Sequence, residues 1–159
     1  MRCLLVLFSA IAATASADDA PYNSDAYAAC AACHLAAGEG VPGAFPPLRT
    51  RAATIASIEG GRDYLISVVS SGLMGMMEAE GMTYMGVMPG HQGSMTHEQI
   101  AAALNYVVFE LTDEDQDSMP PFSAEEVAKR QKAVESPSPS TAAQLREKLT
   151  QQHADKWPR

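Results

Sequence analysis

Apolar residues follow three different patterns along this chain. From Cys3 to about Ala13 they form one unbroken run after Met1-Arg2. Further on they recur at helical spacing, on segments bounded by helix start and stop signals. Between residues 72 and 95 neither pattern holds: glycines and seven methionines alternate with polar residues without a clean period, which predicts an irregular loop wrapped over something apolar. The helical segments are predicted at 24–33, with Asn23 or Ser24 as N-cap, at 50–59, and at 62–71, with Leu65, Val68 and Val69 inward and Gly72 as the stop. Residues 35–50 carry Gly38, Gly40, Pro42, Gly43, Pro46 and Pro47 and read as loop. Thr96 and Gln99 form a capping box opening a helix whose Ile100, Leu104, Val107, Val108 and Leu111 share one face. A second box at Ser123 and Glu126 opens a helix to about Val134. A third start is placed at Thr141 and Gln144, with Leu145 and Leu149 on one side. The last two helices lack a wide apolar stripe and are expected to rest on the surface.

The N-terminal run has the form of a secretory leader. It is too short to anchor stably in a bilayer. Ala15-Ser16-Ala17 then supplies a small-x-small cleavage pattern before Asp18-Asp19. The expected organisation is a leader at 1–17, a compact domain at 18–112, and a linker with a helical extension at 113–159. The product is expected to be soluble and exported, periplasmic in a bacterium, with no stable membrane anchor after cleavage. The formal charge of −8, reaching −9 once Arg2 leaves with the leader, argues against nucleic-acid binding and favours docking partners with a basic patch.

The candidate chemistry is concentrated at Cys30-Ala31-Ala32-Cys33-His34. Two thiols three positions apart near a helix end can each add to a haem vinyl group, and the adjoining histidine is then held beside the iron. Removing the leader leaves only these two cysteines. Their placement before a histidine favours two thioethers over the disulfide otherwise expected of an exported pair. Haem is attached to such motifs outside the cytoplasm, so leader and motif support one another.

From Cys30 to about Leu111 the order is helix, CxxCH, proline-rich loop, helices, methionine-rich loop, helix. With CAACH at 30–34, FPPL at 45–48, YMGVMPG at 84–90 and LNYV at 104–107, it resembles the class I (mitochondrial-type) monohaem cytochromes c. The resemblance implies an all-α cytochrome c fold, with short helices wrapped around one covalent haem c and a C-terminal helical extension outside the family core. It implies His34 and Met88 as axial iron ligands, and Cys30 and Cys33 as covalent anchors. The Pro46 carbonyl would orient His34, Leu48 would pack on the proximal side, and Tyr84 would belong to the haem environment. Met74, Met76, Met77, Met82, Met85 and Met95 compete with Met88, but only Met88 precedes a proline in the family's glycine-rich context. Met82 and Met85 are the nearest alternatives. His91, His97 and His153 are read as surface residues. Tyr106 is expected to pack near Tyr27, and Arg49, Arg51, Arg62, Tyr64 and Tyr84 are candidate donors to the haem propionates.

A neutral thioether opposite an imidazole stabilises ferrous iron, and a saturated iron suits electron transfer better than small-molecule chemistry. The resemblance therefore implies a single-electron carrier rather than an enzyme, either free or as the cytochrome subunit of an oxidoreductase complex. Its partners would be a periplasmic dehydrogenase, reductase or oxidase. Two other readings remain open from the residues alone. One is a haem enzyme or gas sensor with a labile sixth ligand. The other is a methionine-rich copper-handling protein, since Met74, Met76, Met77, Met82, Met85 and Met88 offer soft donors suited to Cu(I).

Overall fold

The computed structural model describes residues 24–112, 119–134 and 136–159. The expected leader at 1–17, the N-cap alternative Asn23 and the start of the expected linker at 113–118 lie outside these residues. The element order is α1 (Ser24–His34), α2 (Ala52–Ser57), α3 (Gly61–Ser71), β1 (Leu73–Ala79), β2 (Met82–Met88), α4 (His97–Asn105), a π-helical turn (Tyr106–Glu110), α5 (Ala124–Ala133) and α6 (Pro139–Gln152).

The frame is helical. Thr96 accepts from the Gln99 amide, and the Gln99 side chain accepts from the Thr96 amide, so the expected capping box starts α4. Ile100 and Leu104 on α4 turn into a core shared with Tyr27 and Cys30 of α1, the alanines Ala52, Ala53 and Ala56 of α2, and Ile66 of α3. Alanine at three positions of so short a helix lets neighbouring backbones come close. Past Asn105 the helix widens into the π turn, and Val107, Val108 and Phe109 are all buried. A π turn advances less per residue than an α-helix, so three consecutive side chains can stay on one side. The Tyr27 and Tyr106 rings meet with centroids 5.3 Å apart, as expected.

The expectation of an all-α chain needs one correction. Residues 72–95 are not an irregular loop. Leu73–Ala79 and Met82–Met88 pair as an antiparallel hairpin in continuous register from Leu73 opposite Met88 to Ala79 opposite Met82. Only Glu80 and Gly81 join the strands, and both have positive φ (52° and 72°), the conformation of a type I′ turn. Side chains alternate accordingly. Ala79 and Tyr84 are buried and Leu73, Met77 and Met88 half-buried, while Met74, Met76, Met85 and Val87 are exposed. Methionine's period-breaking runs hid this alternation, and the clue was a lone Gly81 midway between two runs of equal length.

On α3 the expected inward residues Leu65, Val68 and Val69 do pack against the core clusters, but the deepest positions belong to others. Tyr64, Ile66, Ser67 and Ser70 are the buried side chains, whereas Leu65, Val68 and Val69 are half-buried. The C-terminal stop at Gly72 is as expected, with φ 85°.

The extension is more deeply seated than its weak apolar stripes suggest. Phe122 and Val127 enter the main core, and Leu149 and Trp157 build a second cluster with Ile55, Ile58 and Tyr64. Single large side chains, not stripes, carry the burial. The start of α6 is earlier than expected: Ser138 caps it by accepting from the Thr141 amide, and Pro139 occupies the first turn, where a missing N–H costs nothing.

Two polar fasteners hold α5. Asn105, 1% exposed, gives its Nδ2 to the Phe122 carbonyl and takes the Phe122 amide on Oδ1. Arg62 bonds Glu126 and the carbonyls of Pro120 and Pro121 while its guanidinium lies 3.8 Å from the Phe122 ring centroid. Glu126 therefore completes only half of its expected capping box. Its backbone amide bonds Ser123, but its carboxylate is taken by Arg62 and Arg130, and Arg130 also pairs with Asp63.

Replacing Asn105 by Ala strands a buried amide and a buried carbonyl at Phe122. The expected loss is about 2–3 kcal/mol, read from urea unfolding of the holoprotein, with unchanged stability refuting the fastener.

Burial alone would raise the Glu126 pKa, but its bonds to Arg62 and Arg130 outweigh that and hold it below the ordinary range. Its stabilising share is then present above the unfolded value of about 4.3 and fades as pH falls through the lower folded value. Limited proteolysis of residues 119–134 should rise in that acid window in the wild type. Glu126→Gln should be susceptible at every pH.

Candidate haem centre

Helix α1 ends at its own chemistry. Cys30 is buried and Cys33 half-buried, and the two are not joined as a disulfide. Burial and then the neighbouring Cys33 push the Cys30 thiol up. His34 closes the helix, and the chain reverses at Leu35, a non-glycine residue with φ 63°. Such a conformation costs about 1 kcal/mol. The Tyr27 hydroxyl donates to the Leu35 carbonyl at 2.8 Å and helps hold it. Burial and then the nearby cysteine raise that hydroxyl to about 12, so it stays a donor.

The loop after the motif returns to His34. Gly40 donates its amide to the His34 carbonyl, and Leu48 and Arg49 donate to that of Gly38. Gly40 has φ 69°, and a Cβ there would run into the carbonyls of Phe45 and Pro46. The glycine thus permits the approach that sets His34 Nδ1 2.8 Å from the Pro46 carbonyl oxygen. A carbonyl only accepts, so Nδ1 carries the proton and Nε2 keeps the lone pair a metal needs. Burial lowers the His34 pKa more than the Pro46 bond raises it, which favours that neutral form.

The hairpin forms the facing wall. His34, Cys33 and Pro46 line a cleft with Met77, Tyr84 and Met88. Met88 is fixed through its backbone. The His91 and Gln92 amides donate to Val69 and Ser70 at the end of α3. A Cβ on Gly72 would strike the Met88 carbonyl, and one on Gly90 would come within 2.6 Å of the Ser70 carbonyl. The two backbones are therefore in direct contact, and Met88 leaves the sheet at a defined place.

Most residues expected at the site converge. Cys33, His34, Pro46, Tyr84 and Met88 share the cleft, with Cys30 one helical turn away in the adjoining core. Leu48 instead packs against the helical core. Among the other methionines, Met95 also packs there, Met82 is 42% exposed, and Met85 touches the cleft but is 78% exposed on the outer face. Met77, one of the competing methionines, and Phe45 of the FPPL motif also line the cleft, as do Leu73 and Ala44, which were not singled out in the sequence. The alternation that puts Met77 on the same face of the hairpin as Met88 was invisible without the pairing. Of the candidate propionate donors, Arg62 is committed to α5, Tyr64 packs against Trp157, and Arg49 is exposed. Arg51 and Tyr84 are buried beside the hairpin. His91 is half-exposed, His97 bonds Gln131, and His153 bonds the Glu59 carbonyl.

The cytochrome c family model matches residues 24–108. This chain belongs to the cytochrome c family. It is a monohaem c-type cytochrome, an electron carrier with covalently bound haem c and not an enzyme. Two cytochromes c-552, both from Thermus thermophilus, are each 47% identical to it over 104 residues. That alignment covers 65% of this chain and 79% and 70% of the two relatives. The family match stops short of α5 and α6. Among the described residues no helix is long and apolar enough to cross a membrane.

Replacing Gly72 by Ala should lower stability by about 2 kcal/mol or more through strain and the Met88 clash. Gly93→Ala, with open space around it, should stay within about 0.5 kcal/mol of wild type. Urea midpoints of the two holoproteins check the contrast.

Proposed function

We propose that this cytochrome is an exported electron shuttle in which Cys30 and Cys33 tether the haem and His34 and Met88 are its axial ligands. One observation supports this above all: His34 and Met88 line the same cleft, with His34 held on Pro46 in the tautomer that leaves Nε2 free. The bound haem supplies a reversible one-electron iron couple. The chain's residues decide how that couple is used. His34 offers a neutral nitrogen, and its bond to Pro46 raises its basicity and fixes its plane. Met88 offers a neutral, soft sulfur that favours the ferrous state. Backbone fixation of both donors limits rearrangement between oxidation states. Tyr84, Met77 and Phe45 complete the lining; Phe45, 40% exposed, lies toward solvent.

The N-terminal run and its Ala15-Ser16-Ala17 pattern support export to the periplasm, or the equivalent compartment outside the cytoplasm. The acidic surface, at −8 for the chain, supports brief docking to a basic patch on a dehydrogenase, reductase or oxidase. A haem enzyme or sensor would need an open sixth position, and a methionine in the cleft speaks against one.

The test is the visible and near-infrared spectrum of the ferric protein beside Met88→Ala. A weak sulfur-to-iron charge-transfer band in the wild type, absent from the variant, is the expected result. Persistence of the band in the variant would move the ligand role to another methionine, Met77 first. A high-spin wild-type spectrum would overturn the closed-site reading.

A further inference from the structure

Helix α6 lies beyond the residues matched by the family, yet it sends a cation to the hairpin. Arg146 Nη2 donates to the Met76 carbonyl at 2.7 Å. Its Nε is buried and has no hydrogen-bond partner among the described residues. Two residues along the same strand, Arg51 Nη1 reaches the Glu78 carbonyl at 3.3 Å, and Arg51 as a whole is only 4% exposed. Carbonyls two apart on a strand project to the same side, about 7 Å from one another. The two guanidiniums, one from the start of α2 and one from α6, therefore stand side by side on the edge of β1.

No close ion pair among the described residues neutralises them. The ion pairs found there involve Arg62 and Arg130, not Arg51 or Arg146. Glu78 meets Arg51 through its backbone and its side chain is exposed, and Glu80 sits on the exposed turn. The groups that favour the Arg51 cation are the buried hydroxyls of Tyr64 and Tyr84 and, from the exposed turn, the Glu80 carboxylate. Burial lowers the Arg51 pKa, the Tyr64 phenol raises it, and Arg146 adds like-charge repulsion. Two guanidiniums and a buried, unpaired N–H make a costly arrangement unless an anion completes it.

The place of this pair says which anion. Tyr84 and Met77 line the haem cleft. Met77 also borders the groove between hairpin and extension, which Arg146, Trp157 and Arg159 line. We infer that Arg146 and Arg51 together bind the haem propionates, so that the C-terminal extension completes the cofactor site. This rests on the haem occupying the cleft as proposed above. It gives the extension a role in tuning the couple as well as in packing: a cation beside the propionates keeps them ionised and offsets their charge at the iron.

The experiment is the reduction potential of the full-length holoprotein as a function of pH, for wild type, Arg146→Gln and Arg146→Lys. A nearby cation depresses a carboxyl pKa, so Arg146→Gln should lower the potential at neutral pH and move the propionate inflection up by about one unit or more. Arg146→Lys, which keeps the charge, should stay near wild type. A mere fastener of α6 to β1 would weaken unfolding stability in both variants and leave the inflection in place, which would overturn the inference. If Arg146→Gln does not fold, resonance Raman spectra of Arg146→Lys still decide. Propionate bending bands should shift when a forked donor becomes a point charge, and unchanged bands refute the contact. Inorganic phosphate separates a mobile anion from the propionates. Wild-type potential unaffected by phosphate supports the inference. A phosphate-dependent shift that vanishes in Arg146→Gln would overturn it. A protein with no c-type haem couple would instead refute the proposed function itself.

Discussion

The structure depends on holding two donor-bearing walls of one cleft in register although they come from opposite parts of the chain. On one wall the constraint is a single hydrogen bond, His34 Nδ1 to the Pro46 carbonyl, made possible by the close passage of Gly40. On the other it is backbone contact between the end of α3 and the end of β2, with glycine at both positions where a Cβ would intrude. Neither constraint uses much apolar area. Each fixes direction, which burial alone cannot do, because the hydrophobic effect has no preferred orientation.

Legibility in the sequence followed how local each signal was. The CAACH helix, the Thr96–Gln99 capping box and the Tyr27–Tyr106 contact involve short motifs or strong periodicity, and they lie where expected. The hairpin did not announce itself. Methionine is flexible and helix-tolerant, the glycines suggest loop, and β-branched residues are nearly absent from both strands. Pairing of β1 with β2 is a tertiary fact that overrides weak local preference. The site was legible to the extent that a motif named the residue: His34, Cys33 and Met88 line the cleft, whereas Met77 depends on register and Arg146 on a helix outside the family span.

The extension shows why stripe-reading underestimates some helices. Helix α5 contributes one fully buried residue, Val127, and α6 contributes Ala142 and Leu149. Their docking relies on polar groups meeting backbone: Asn105 on Phe122, Arg62 on Pro120 and Pro121, Arg146 on Met76. Such contacts are specific without being apolar, and a hydrophobic pattern carries no trace of them. They also make the extension continuous with the domain, since Phe122 and Val127 belong to the same core as Ile100 and Leu104.

The two-residue turn at Glu80-Gly81 has a consequence for how this protein can change over evolutionary time. With no slack between β1 and β2, inserting or deleting one residue in either strand would invert every later side chain and turn Met88 to the solvent side in place of Val87. Length changes here should survive only in pairs, one residue on each strand, so that the hairpin lengthens or shortens by whole rungs. Loops elsewhere can drift in length singly. This one is locked to even steps by the parity of a pleated strand.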